Sequence, residues 1–212
     1  GFQRCMEGRC QDPGRSPLAG AVVLNEVLID GACDDANRDG DIHALEDEFV
    51  ELLNVSAGPL DLSGCLLVET DLPAVPRHTF PDGTILPAGE ALVVFGGGSP
   101  SDELDAWPGA QVVVAEPEDP AWSNGLNLDG PGDRLRLLDP ELREVFVFAY
   151  GDGCVDADGG HCLPSISDRS LVRAPEGQGP FVPHDEAPGA NGLIFSPARR
   201  TDDTPFAGAP AQ

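Results

Sequence analysis

Apolar residues along this chain come in short runs, each cut off by Pro, Gly, Asp or Asn before a helical face could develop. Ala21-Val-Val-Leu-Asn-Glu-Val-Leu-Ile29 and Glu48-Phe-Val-Glu-Leu-Leu-Asn54 read as strands that are apolar on nearly every position. Arg134-Leu-Arg-Leu137 alternates strictly, the signature of a strand with one face toward water. The pattern predicts strands over 21–29, 48–55, 64–70, 77–80, 90–96, 111–115, 125–128, 133–138, 144–150 and 168–173. Turn signals separate them at Ala57-Gly-Pro59, Pro81-Asp-Gly83, Pro87-Ala-Gly89 and Asp129-Gly-Pro-Gly-Asp133. Spacings near ten residues with turns between them predict an all-β chain, a β-sandwich rather than an α/β layer.

The flanks read differently. Residues 1–20 are expected to form an irregular, disulfide-closed arm and linker, and 21–173 the sandwich. Residues 174–212 are rich in Pro and Gly and carry isolated apolar anchors such as Phe181, Phe195 and Phe206, so they are expected to pack along the sandwich as irregular chain.

Composition narrows the partners. The chain has 12 Arg and no Lys against 37 Asp plus Glu, a formal charge of −25. Such a surface repels nucleic-acid phosphates and anionic lipid, and concentrates divalent cations instead. No apolar run reaches the length of a membrane span. No signal peptide is visible, as expected of a mature chain.

One segment carries specific chemistry. Asp35-Ala-Asn37-Arg-Asp39-Gly40-Asp41-Ile42-His43-Ala-Leu-Glu46 matches the calcium-loop pattern D-x-[DN]-x-[DN]-G-x5-E at every specified position. A hard cation takes six to eight oxygens, and this spacing offers them within one turn of chain. Asp35, Asn37 and Asp39 would give side-chain oxygens, Asp41 its carbonyl, His43 a water-bridged position and Glu46 a bidentate carboxylate. The flanking segments are strands, so this is a calcium loop without the helices of an EF-hand. The alternative is a solvated acidic linker; magnesium suits a flexible, carboxylate-rich site less well than calcium. A second acidic segment, Asp152-Gly-Cys154-Val-Asp156-Ala-Asp158, holds only a fragment of the pattern and reads as a solvated loop.

Six cysteines, Cys5, Cys10, Cys33, Cys65, Cys154 and Cys162, favour disulfides and an oxidising compartment. Zinc is the rival, but none of the close pairs has C-x2-C spacing. Among fifteen possible connectivities the sequential one closes the smallest loops.

Five segments in order resemble the lamin tail domain family: Leu24-Asn-Glu-Val27, Glu48-Phe-Val-Glu-Leu-Leu-Asn54, Leu60-Asp-Leu-Ser-Gly64, Phe80-Pro-Asp-Gly-Thr-Ile-Leu-Pro-Ala-Gly89 and Gly132-Asp-Arg-Leu-Arg-Leu137. The resemblance spans about 21–173 and implies an immunoglobulin-like sandwich of the bacterial, secreted type, with an acidic insertion between its first two strands. Cys65 stands where the family usually has Trp, and a Cys33–Cys65 bridge would offset that loss.

No enzyme signature emerges. His43, His78, His161 and His184 lie in no catalytic motif, Ser63 is in no nucleophile elbow, and Gly96-Gly-Gly98 lacks a following Lys-Ser/Thr and reads as a flexible hairpin end. Glu48 and Glu51 read as strand-face residues, and Arg199-Arg200 as members of internal ion pairs. The expectation is a non-catalytic, secreted or cell-surface module stabilised by calcium, engaging a protein or carbohydrate surface or itself, with no nucleic-acid partner and no membrane insertion. Alternatives are a subunit of an extracellular filament or coat, and an accessory domain of a secreted hydrolase.

Overall fold

The computed structural model describes residues 4–6, 9–11, 15–31, 34–69, 75–103, 106–117, 125–128, 130–152, 163 and 165–206. Fourteen strands are present among them: β1 (Arg4–Met6), β2 (Arg9–Gln11), β3 (Val22–Leu28), β4 (Phe49–Asn54), β5 (Leu60–Asp61), β6 (Leu66–Glu69), β7 (Val75–Thr79), β8 (Ile85–Leu86), β9 (Ala91–Phe95), β10 (Ala110–Val114), β11 (Gly132–Leu138), β12 (Glu144–Gly151), β13 (Leu171–Arg173) and β14 (Phe181–Pro183). A six-stranded sheet in the order β10-β9-β4-β3-β13-β14 faces a four-stranded sheet in the order β12-β11-β6-β7. The molecule is an immunoglobulin-like β-sandwich.

Alternation places the core. Val27, Val50, Leu52, Leu92 and Val94 point inward from the large sheet and meet Leu67, Leu135, Leu137, Phe148 and Tyr150 from the small one. All six residues of β4 are buried, because the opposite face of the large sheet is covered as well. Leu28, Phe49, Val93 and Phe95 there pack against Ala198 and Phe195 from the C-terminal segment. Phe206 closes over Leu53 and Ala91 farther along the same face. The run of apolar residues in β4 is therefore that of a strand buried on both sides.

Several sequence expectations change in the folded chain. Past Arg173, where no strand was expected, β14 pairs with β13 and extends the large sheet. Within the N-terminal arm, expected to be irregular, β1 and β2 pair antiparallel, with Cys5 directly opposite Cys10 in the register. The expected strand at 125–128 is a turn: Gly125 and Asn127 both take positive φ, which an extended strand cannot accommodate. Leu126 and Leu128 nevertheless plug the core.

The cysteine expectations divide similarly. Cys65 carries a free thiol with no exposed surface, packed in the central core, so no Cys33–Cys65 bridge forms. Burial among apolar side chains, beside the carboxylates of Asp139, Asp61 and Glu141, pushes this thiol up to about 12. Cys33, Cys154 and Cys162 lie outside the described residues, as do Asp156, Asp158 and His161.

Truncating Leu92, fully buried in the central core, to Ala should cost about 2–5 kcal/mol in urea unfolding. Val147→Thr, on a side chain 49% exposed, should stay within about 0.5 kcal/mol.

Candidate functional site

The acidic loop leaves β3 and returns to β4 at one end of the sandwich, and its conformation is written in its short side chains. Asp35 accepts from the Asp39 and Gly40 amides at 3.1 and 2.9 Å. Asn37 Oδ1 accepts from the Asp39 amide at 2.9 Å, and Asp39 Oδ1 from the Asp41 amide at 3.0 Å. Asp and Asn favour such local bonds, and Gly40 supplies the φ of +99° that closes the turn.

Asp47, one residue past the pattern, anchors the whole loop. It is fully buried, and its two oxygens accept from the Asn37 and His43 amides at 3.0 and 2.8 Å. Burial raises its pKa against the pull of those amides. The Asp39 carboxyl is instead lowered, chiefly by the Ser99 and Asp41 amides it accepts from. His43 Nδ1 lies 3.3 Å from the Leu45 and Glu46 amides and caps the turn that follows.

Gly96-Gly97-Gly98 is no flexible hairpin end: it is the surface against which the loop is seated. The Gly96 and Gly97 amides donate to Glu48 and Glu46 carbonyls at 2.7 and 3.1 Å. The Ser101 amide donates to the Asn37 carbonyl at 3.0 Å, and the Ser99 amide to Asp39 Oδ2 at 3.0 Å. A Cβ on Gly96 would lie 1.9 Å from the Leu45 oxygen. A Cβ on Gly98 would lie 2.3 Å from Asp39 Oδ2, 2.4 Å from Asn37 Nδ2 and 3.4 Å from Glu46 Oε2. Loop positions 3, 5 and 12 thus converge on one glycine. Asp41 and Ile42 lie on the exposed outer side. Among the described residues, no three His, Cys, Asp or Glu side chains are gathered as a bound metal would hold them.

Behind the loop sits Glu48, 1% exposed, accepting from the Leu128 amide at 3.1 Å. Burial pushes its pKa up to about 8 despite the Leu128 and Asp30 amides. Nearby on β6 and β7, Glu69 and Arg77 form a buried ion pair.

A second buried polar cluster lies on the outer face of the large sheet. β3 carries a bulge between Leu24 and Glu26, which returns Val27 to the core. Glu26 then stands opposite Glu51 of β4, and both are fully buried. Glu51 accepts from Asn25 Nδ2 and the Ala198 amide, each at 2.8 Å. Glu26 accepts from Ser170 Oγ at 2.6 Å, the Ser196 amide at 2.8 Å and Ser196 Oγ at 3.1 Å. His184 Nδ1 donates to the Leu193 carbonyl at 3.0 Å, while its Nε2 lies 2.9 Å from Ser196 Oγ and 3.9 Å from Glu26.

A serine, a histidine and a glutamate therefore meet here. Each is at most 4% exposed, and the imidazole is oriented by a backbone carbonyl, so no substrate could reach them. Their chemistry is that of a clasp holding residues 184–206 onto the sheet. The signal for it in the sequence is Asn25-Glu26 and Glu51 interrupting otherwise apolar strands; the donors come from far along the chain and carry no such mark. Arg199 and Arg200, read as internal ion-pair members, face Asp203 at 3.5 Å and Glu176 at 2.9 Å.

The two facing sheets define a class, the immunoglobulin-like β-sandwich modules. Residues 15–152 match the lamin tail domain, and the chain belongs to that family, one of non-enzymatic structural domains. No curated protein matches it. The match ends before Ser170, His184 and Ser196, so the motif residues Glu26 and Glu51 are capped by chain beyond the matched region.

Gly98→Ala should unseat the loop, since Asp39 and Asn37 occupy the space its Cβ needs; hydrogen exchange of the 35–47 amides should quicken while the core amides hold. A pH effect follows from the clasp. Burial raises the pKa values of both Glu26 and Glu51 above the ordinary 4.5. The folded state then keeps protons that the unfolded chain releases, so this stability is complete below about pH 4.5 and is lost as pH rises through the raised values. Glu51→Gln should flatten that decline, measured as urea midpoints at pH 5 and pH 8.

Proposed function

We propose that the chain is a non-catalytic, extracellular structural or adhesion module in which calcium at the 35–46 loop locks the connection between β3 and β4. The observation that carries this reading is the convergence of Asn37, Asp39 and Glu46 on Gly98, from three ligand positions of a complete calcium pattern. Charge argues in the same direction. Residues 30–48 hold eight Asp and Glu against Arg38 alone, and a divalent cation would relieve their repulsion.

Asp35, Asn37, Asp39 and Glu46 would hold the ion by side-chain oxygens and Asp41 by its carbonyl. Several of these oxygens accept from loop amides, and Asn37 turns its Nδ2 toward Gly97, so binding would re-aim these side chains. The ion would supply no reaction chemistry, only a fixed crosslink. An extracellular setting supplies the millimolar calcium a modest site needs. The Cys5–Cys10 register is the backbone placement a cross-strand disulfide uses, which supports the same compartment.

Calcium at about 100 times its Kd would add ~2.7 kcal/mol, a rise in Tm of roughly 5–10 °C for a chain of this size. A chelator should remove that rise, and Asp39→Ala with Glu46→Ala should abolish it. An unchanged Tm in chelator together with no calcium heat in calorimetry would overturn the reading.

A further inference from the structure

We propose that the free edge of β10 is the docking site for an extended, cationic peptide strand of a partner protein. This deepens the adhesion reading by naming the partner's chemistry, and it does not depend on calcium. β10 ends the large sheet, and among the described residues no strand pairs with its outer side. An open edge is a template for another strand, and proteins ordinarily blunt it with charge, proline, a bulge or a cover.

Two of the other three edges of the two sheets are blunted in those ways, and the third is closed at its ends. β7 carries Pro76 and Arg77 and a register shift against β6. β14 is three residues long and ends in Pro183. β12 opens with Glu144, and at its far end the Gly151 amide is taken by the Leu163 carbonyl at 2.9 Å. β10 is Ala-Gln-Val-Val-Val, without charge, proline or bulge, and all five residues are half-exposed.

Beside it runs a groove of about 340 Å³ lined by Pro100, Trp107, Ala110 and Val112. Its wall is rigid. Trp107 Nε1 donates to the Ser101 carbonyl at 2.8 Å, and the ring packs 5.6 Å from Phe95. Arg38 lies 4.8 Å over the ring and donates to the Ala106 carbonyl, so its charge is engaged. An apolar side chain of an added strand would fit this groove, while backbone bonds to β10 supply the pairing.

Charge selects the partner. Between Arg77 and Arg134 the chain has no Arg or Lys but ten Asp and Glu. Of these, Asp102 lines the groove, and Glu103 and Glu116 are exposed near the two ends of β10. A second copy of this chain, at −25, would be repelled. A strand alternating basic and apolar residues satisfies the open backbone, the groove and the field together.

Hydrogen exchange of the full chain, with and without an arginine–valine repeat hexapeptide, tests this. The amides of 110–114 should exchange at least about tenfold more slowly with the peptide, and the effect should weaken as salt rises. A glutamate–valine repeat should have no effect, and Val112→Lys with Val114→Lys should remove protection by the basic peptide. The proposal is overturned if the basic peptide leaves 110–114 unchanged, if the acidic peptide protects equally, or if the double variant still binds. Basic-peptide protection confined to other strands would remove β10 while leaving the adhesion reading standing.

Discussion

Glu26 and Glu51 stand side by side on the outer face of the large sheet, with no access to water. Burying polar groups without hydrogen-bond partners is costly, so the pairing of β3 and β4 in this register is stabilised by the donors it meets. Those donors are Ser170, the Ser196 amide and hydroxyl, the Ala198 amide and Asn25. The C-terminal segment therefore supplies most of the partners of this buried pair. It also brings Phe195, Ala198 and Phe206 over an apolar face that would otherwise be exposed.

The same logic orders the acidic loop that joins β3 to β4. Asp47 takes up two loop amides in a fully buried position, and Gly96-Gly97-Gly98 lets the loop backbone approach closer than any side chain would permit. The acidic loop thereby gains a fixed seat without regular secondary structure. The loop is held by amides and glycine contacts between two strands, with no flanking helices of the kind an EF-hand sensor moves.

Much of this was legible in the residues. Short apolar runs and turn residues located β3, β4, β6, β9, β11 and β12 closely, because period-2 burial and turn chemistry are local properties. The loop pattern located the Asp35 to Glu46 turn for the same reason: Asx residues bond their own neighbours. Gly96-Gly97-Gly98 misled, since a glycine run looks identical whether it is loose or closely packed. Residues 125–128 misled too, because buried Leu126 and Leu128 alternate like a strand while Gly125 and Asn127 turn the backbone.

By itself, then, the sequence determined an all-β sandwich, its principal strands and an Asp- and Asn-rich turn joining two of them. Tertiary structure alone decided what surrounds the polar residues within those strands. It placed Ser196 against Glu26 and Ala198 against Glu51, left Cys65 a buried free thiol, and set Gly98 under Asn37, Asp39 and Glu46. The reason is physical. Burial and hydrogen bonding between groups 60–170 positions apart leave no periodicity in the chain, and only the packed fold brings them together.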